Sequence, residues 1–350
     1  MMTELEKILC EKFGAEYGVF TGNGTTAMYL AFKALSIQSK KVIFPAVSCT
    51  NPVNAAIYAG YTVDFCDVSL DDFTIDLCYL ERMLETKEYG IVVPTHIYGH
   101  RYDEKKTREL CKKYNVVLME DAAQSYYIGD MDISIMSFGH TKVCDTNCGG
   151  GIAFTNSQSM WEKMQIEKKK VPLIENSYDQ ILQSYRKKYY AIVKNTKNWN
   201  ERNTQLKKLQ LENKDYFIFD MDDNIEIYEK IKILDEYVKD REDKTKIYDQ
   251  YLNSKYIIKP EVEDLYRWRY SFLYKGDREL LLKKARCNGI DISSWYCSLA
   301  GIYKNEHLKN ADIIEKQIVN LWVDETHTRD QIKKDINVLN DIMENEHGEK

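Results

Sequence analysis

The chain has 350 residues, 44% of them hydrophobic and 30% charged, with a mean hydropathy of -0.51. That is enough for one large or two ordinary folded domains, and it excludes a mainly disordered chain or a polytopic membrane protein. Forty-nine basic against 55 acidic side chains leave a net charge of -6, a poor balance for gripping a nucleic-acid backbone, although a few local groups can still hold a small anion.

In chain order, Leu5, Ile8, Leu9 and Phe13 fall at helical spacing. No basic stretch followed by an apolar run precedes them, so no secretory signal is expected. Residues 17–20 read as a short apolar strand, closed by the turn Thr21-Gly22-Asn23-Gly24, and 25–35 as a buried helix. Strands at 42–44, 62–65, 90–94, 116–119, 133–137 and 151–155 alternate with helices at 51–58, 77–84 and 105–113. This alternation predicts right-handed crossovers and an α/β fold with a mostly parallel sheet covered on both faces. Residues 156–235 turn rich in Lys, Glu, Asn and Tyr and show few strands. The pattern then predicts one long amphipathic helix over 225–251, a strand at 268–274, and a helix over 278–287 ended by the cap pair Asn288-Gly289. A strand at 319–323 and a helix over 328–344 follow. The expected division is a large domain, 1–235, with a divergent helical part at 156–235, and a smaller α/β domain, 236–350. No segment reaches the roughly 18 apolar residues of a membrane-spanning helix. Nine irregularly spaced cysteines read as free thiols of a reducing cytoplasm. The close pair Cys144 and Cys148 lacks the second pair of a structural zinc site, and no metal is expected.

Ligands of parallel sheets bind at the carboxyl ends of strands, and several strand ends here carry polar groups. Gly24, Thr25 and Thr26 open a helix where free N–H groups and hydroxyls suit a phosphate, although an ordinary capped turn reads the same way. Glu120-Asp121 follow the strand at 116–119. Either Asp121 caps a helix, or it is an anion facing a cationic ligand, with Gln124 one turn on along the same helix face. Ser137 ends a third strand, and Lys142 stands between it and Gly149-Gly150-Gly151. A surface lysine is the default there; beside a phosphate site it becomes a desolvated nucleophile. His96 reads as a hydrogen-bonded core residue rather than a catalyst. Phosphate cradle, carboxylate and lysine together are what pyridoxal 5'-phosphate requires.

At these residues the sequence resembles the DegT/StrS-type sugar aminotransferases, a branch of the fold-type I pyridoxal phosphate enzymes. The matching stretches are Asn23-Gly24-Thr25-Thr26-Ala27, residues 54–60, residues 63–68, Pro94-Thr95-His96-Ile97-Tyr98-Gly99, Met119-Glu120-Asp121-Ala122-Ala123-Gln124, and Ser137-Phe138-Gly139-His140-Thr141-Lys142 with its triple glycine. Residues 288–290, 294–296 and 320–324 resemble the family's small domain. The resemblance implies covalent attachment of the cofactor at Lys142, which then shuttles a proton. It implies a pyridinium partner in Asp121, a donor to the ring oxygen in Gln124, and phosphate contacts from Gly24, Thr25, Thr26 and Ser137. It further implies transfer of an amino group from an amino acid, usually glutamate, to a nucleotide-linked keto sugar, for polysaccharide or natural-product assembly. A cytoplasmic homodimer with no nucleic-acid or membrane partner follows from the same likeness. Three features differ from the family pattern. Cys49 stands where many members stack an aromatic ring on the cofactor, 216–220 lacks the family's Asn-x-Arg-Met stretch, and the N-terminal arm is almost absent. Transamination of a non-sugar ketone and a non-catalytic binding protein are the rival readings. A nicotinamide dehydrogenase is disfavoured by the missing dinucleotide glycine fingerprint.

Overall fold

The computed structural model describes residues 1–146, 149–174 and 178–348. Cys148, and with it the Cys144/Cys148 pair, lies outside the described residues.

Seven strands form the first sheet: β1 (Tyr17–Thr21), β2 (Lys41–Pro45), β3 (Thr62–Cys66), β4 (Ile91–Val92), β5 (Val117–Asp121), β6 (Ile133–Ser137) and β7 (Gly151–Thr155). Their order is β1-β7-β6-β5-β4-β2-β3. β3, β2, β4, β5 and β6 are mutually parallel, and β7 runs against both its neighbours. The strands are short apolar runs because both faces are covered, so consecutive residues are buried on opposite sides. Val19 and Ala153 join the large core with helix Gly24–Ala34, while Phe20, Ile152 and Phe154 join a second core with Leu5, Leu9 and Ile227.

The second sheet is antiparallel, in the order β10-β11-β9-β8, built from β8 (Ile257–Ile258), β9 (Tyr270–Tyr274), β10 (Ile292–Ser293) and β11 (Ile318–Leu321). Its own core takes in Tyr248, Phe272, Leu281, Val319 and Ile336. Helix Arg278–Cys287 ends as the sequence predicts, with Asn288 at the cap and Gly289 at φ +80°.

Between the two sheets the described residues are helical: Gln158–Lys168, Tyr178–Asn195, Trp199–Glu212, Lys214–Phe217 and Ile225–Lys232. Five expectations are corrected. The helix expected over 225–251 is two, because Ile233 leaves helical geometry (φ -111°, ψ 16°) between Ile225–Lys232 and Leu234–Tyr251. The strand expected at 90–94 shortens to Ile91–Val92, and the one at 268–274 begins at Tyr270. The strand expected at 116–119 instead reaches Asp121. Glu120 and Asp121 are therefore its last two residues and project to opposite faces. Finally, Asp121 caps no helix, since residues 122–129 are turns and unclassified backbone. Its Oδ1 accepts the Ala123 N–H at 3.1 Å, a local Asx turn.

Candidate active site

One cleft at the carboxyl ends of β1, β5 and β6 gathers nearly all of the sequence-predicted residues. Gly24, Thr25, Asp121, Gln124, Ser137 and Lys142 line it, with Cys49, Asn51 and Pro52 on another side. Each arrives there for a local reason. Asn23 caps helix Gly24–Ala34 by accepting the Thr26 N–H at 2.8 Å, which sets the helix start at the end of β1. Gly24 is needed because a Cβ there would come within 3.0 Å of the Ser137 side chain. Gly151 is needed more strongly, as its Cβ would sit 2.2 Å from the Asn23–Gly24 peptide. The helix start, Thr25 and Ser137 are thus pressed into one cradle of N–H and hydroxyl donors, suited to a phosphate dianion.

Thr26 is not part of that lining. Its hydroxyl donates to the Phe217 carbonyl at 3.2 Å and accepts the Phe219 N–H at 3.1 Å. The Asn23 amide also donates to the Phe217 carbonyl, at 3.0 Å. Thr26 therefore ties residues 217–219 to the helix start instead of facing the cradle.

Asp121 is 3% exposed. Burial pushes its carboxyl above the ordinary 3.8, against the opposing pull of the Ala123 N–H and of Lys142. Burial also pushes the Lys142 ammonium below its ordinary 10.5; Cys49 and Asp121 oppose that and Arg269 adds to it. The Cys49 thiol is raised, again by burial first. A buried carboxylate with a raised pKa and a half-buried, desolvated amine with a lowered one fit a ligand that brings its own positive charge to the first and a carbonyl to the second. Gln124 is held at both ends. Its Oε1 accepts the Tyr98 N–H at 2.7 Å, and its amide donates to the Tyr296 hydroxyl at 3.3 Å.

Glu120, on the other face of β5, is structural. Its Oε1 lies 2.8 Å from His96 Nε2 and accepts the Tyr102 hydroxyl at 3.1 Å, while Oε2 accepts the Gly129 N–H at 2.9 Å. His96 is thus the hydrogen-bonded core residue expected. The sequence reading missed Tyr296 and Trp268. Trp268 lies beneath Lys142, with Nζ 5.2 Å from the ring centroid. A wider cleft of about 220 Å³ lies between helix Trp199–Glu212 and residues 298–316. Two pairs of its polar side chains meet, Trp199 with Glu315 at 3.0 Å and His307 with Asp312 at 2.9 Å.

The chain is similar to known proteins in sequence and in fold. Among curated relatives, a UDP-4-amino-4,6-dideoxy-N-acetyl-beta-L-altrosamine transaminase of Campylobacter jejuni is 31% identical over 167 residues, 45% of this chain and 44% of the relative. A GDP-perosamine synthase of Escherichia coli O157:H7 is 30% identical over 169 residues, 46% of each chain. A 3-oxo-glucose-6-phosphate:glutamate aminotransferase of Bacillus subtilis is 29% identical over 164 residues, 45% of this chain and 37% of the relative. The chain thus spans less than half the length of these relatives in the matched region. Among solved structures, an aminotransferase from Psychrobacter cryohalolentis superposes with a TM-score of 0.77 at 19% identity, over 98% of this chain and 91% of that one. Helicobacter pylori PseC, an aminotransferase of pseudaminic acid biosynthesis, superposes with a TM-score of 0.75 at 17% identity, over 97% and 90%. The fold is therefore that of the fold-type I aminotransferases. The family model for the DegT/DnrJ/EryC1/StrS aminotransferases matches residues 1–340, and the chain belongs to that family.

Proposed function

We propose that this protein is a pyridoxal 5'-phosphate-dependent aminotransferase that moves an amino group from an amino acid, glutamate foremost, to a nucleotide-linked keto sugar. The observation that carries this reading is the convergence of Lys142, Asp121 and the Gly24–Thr25–Ser137 cradle on one cleft. Among the described residues, the Thr25 and Ser137 hydroxyls have no protein hydrogen-bond partner, which leaves them to a ligand. When bound, the cofactor supplies an electron-withdrawing ring that stabilises negative charge on the amino-bearing carbon. Asp121 would hold the proton at the ring nitrogen by its charge, Gln124 would donate to the ring oxygen, and Gly24, Thr25 and Ser137 would bind the phosphate. Lys142 Nζ, which desolvation favours in its neutral form, would carry the proton between the amino-bearing carbon and the cofactor carbon, and in the reverse sense for the keto acceptor. The relatives named for nucleotide-linked amino sugars and for a glutamate donor support the choice of substrates.

The wider setting belongs to the same proposal: polysaccharide or natural-product assembly, in the cytoplasm, as a homodimer. The free thiols Cys10, Cys66, Cys111 and Cys144 are consistent with a reducing compartment, and no described helix is long and apolar enough to cross a membrane. Exposed Leu173, Ile174, Ile181 and Val193 offer apolar surface for a second copy. The division into 1–235 and 236–350 is supported by the separate core beneath the second sheet.

The test is direct. Purified protein given pyridoxal phosphate should absorb visible light, and glutamate should bleach that band. Borohydride reduction followed by peptide mapping should recover the cofactor on Lys142, and Lys142→Ala should recover none. Label on another lysine would overturn the assignment. A visible band that no amino donor changes would favour a non-catalytic binding protein. Screening nucleotide-linked keto sugars against keto-sugar phosphates and simple ketones then identifies the acceptor.

A further inference from the structure

Lys142 stands beside an unusual backbone. Thr141, immediately before it, has φ +72°, in the left-handed region that β-branched residues avoid. Such a residue is strained and persists only where its surroundings fix it. Both polar groups of Thr141's backbone are held at short distance. Its N–H donates to Asp145 Oδ2 at 2.6 Å, and its carbonyl accepts the Trp268 indole N–H at 2.6 Å. Trp268 is 1% exposed, so that indole N–H has no water to turn to.

Trp268 also holds the opposite wall. Its backbone N–H donates to the Tyr98 carbonyl at 2.8 Å. Tyr98 is itself left-handed, at φ +57°, and its own N–H fixes Gln124. Gly99 follows at φ +86°, and a Cβ there would lie 2.4 Å from the Trp268 nitrogen, so the approach is as close as the backbone permits. The ring itself is braced. Arg269 lies 4.3 Å and Trp295 5.8 Å from it, centre to centre.

We infer that Trp268 is the positioning residue of the Lys142 loop: through its indole N–H it locks the Thr141 peptide, and through its backbone N–H it locks the turn that orients Gln124. Trp268 lies outside the cleft and acts through these two neighbours. The inference rests on the reading of Lys142 as the reactive amine, and its test separates the two.

Trp268→Phe keeps an aromatic ring and removes only the donor. In cofactor-free protein, competitive acetylation with acetic anhydride across pH, read by peptide mass mapping, reports the proton affinity of Lys142 directly. The groups that set it are Asp121, Cys49 and Arg269. With the peptide released and water admitted, the labelling midpoint should move up by half a pH unit or more, about threefold in proton affinity. In the loaded enzyme kcat should fall about tenfold or more, with KM for both substrates within about twofold, the mark of lost alignment rather than lost binding. Asp145→Ala releases the same peptide from its other side and should shift the labelling midpoint in the same direction. If Trp268→Phe lowers only the melting temperature, with labelling curve and kcat as in the unsubstituted protein, the inference is overturned. If the unsubstituted protein takes up no cofactor at all, the aminotransferase reading fails, while the labelling comparison still decides the role of Trp268.

Discussion

His96 and Glu120 meet at 2.8 Å inside the fold, 1% and 0% exposed, on the face of β5 opposite the cleft. Burial alone would push the Glu120 carboxyl up. The hydrogen bond and charge of His96, with the Gly129 N–H and Ser134, outweigh it and hold the group below the ordinary 4.5. Asp324 is likewise held low against its burial, by His327, Thr326, Arg241 and Arg269. A carboxylate lowered on folding stabilises fully above its unfolded pKa and loses that contribution as pH falls through the folded one. Urea midpoints should therefore be flat in Glu120's contribution above pH 4.5 and decline below it. Glu120→Ala, which strands His96, Tyr102 and the Gly129 N–H, should cost about 3 kcal/mol in urea unfolding near neutral pH.

Asp121 has the opposite sign. Its carboxyl is raised above 3.8 by burial in the ligand-free protein, so the proton must leave before a cationic ring nitrogen can be paired. Cofactor affinity should fall as pH drops through that raised value, and the dependence should vanish in Asp121→Asn. That variant should also lose roughly 10²-fold or more in turnover, because the charge that keeps the ring nitrogen protonated is gone. Equilibrium dialysis of cofactor across pH reads the first effect and steady-state kinetics the second.

The two threonines at the helix start should separate cleanly. Thr26→Val removes a buried hydroxyl that serves Phe217 and Phe219, and should cost about 1–3 kcal/mol of stability with little change in cofactor affinity. Thr25→Val, at a position lining the cleft, should leave stability within about 0.5 kcal/mol and weaken cofactor binding several-fold. Urea unfolding of cofactor-free protein and fluorescence titration with pyridoxal phosphate give the two numbers.

Gly151→Ala tests how tightly the cradle is built. The new methyl would meet the Asn23–Gly24 peptide at 2.2 Å, so the helix start must retreat. The expected penalty is about 1–3 kcal/mol in stability, accompanied by weaker inorganic phosphate competition against the cofactor. Lys142 acetylation should be unchanged, since its loop is fixed elsewhere.

Much of this site could be read from the chain because its parts follow short apolar strands. Gly24 after Phe20, Asp121 at the end of Val117–Asp121, and Lys142 beyond Ser137 are polar residues where a parallel sheet exposes its carboxyl edge. What could not be read depends on distant partners. Thr25 and Thr26 look alike locally, and only Phe217 and Phe219, nearly two hundred residues on, turn one of them from the cleft. Trp268 sits in Tyr266-Arg267-Trp268-Arg269-Tyr270, where an indole reads as core, and its contact with Thr141 spans 127 positions. The break at Ile233 interrupts an unbroken apolar stripe, and the turn after Asp121 replaces a helix that local spacing would allow. The reversed direction of β7 leaves no compositional trace, because strand polarity is set by which neighbours pair.

That reversal of β7 has a practical side. The segment joining β6 to β7 carries Lys142, and its described part is tied back on itself where the Thr146 hydroxyl donates to the Phe138 carbonyl at 2.9 Å. Foreign sequence placed there would disturb the cleft. An epitope or a fluorophore belongs instead at the exposed cap pair Asn288-Gly289, where helix Arg278–Cys287 ends.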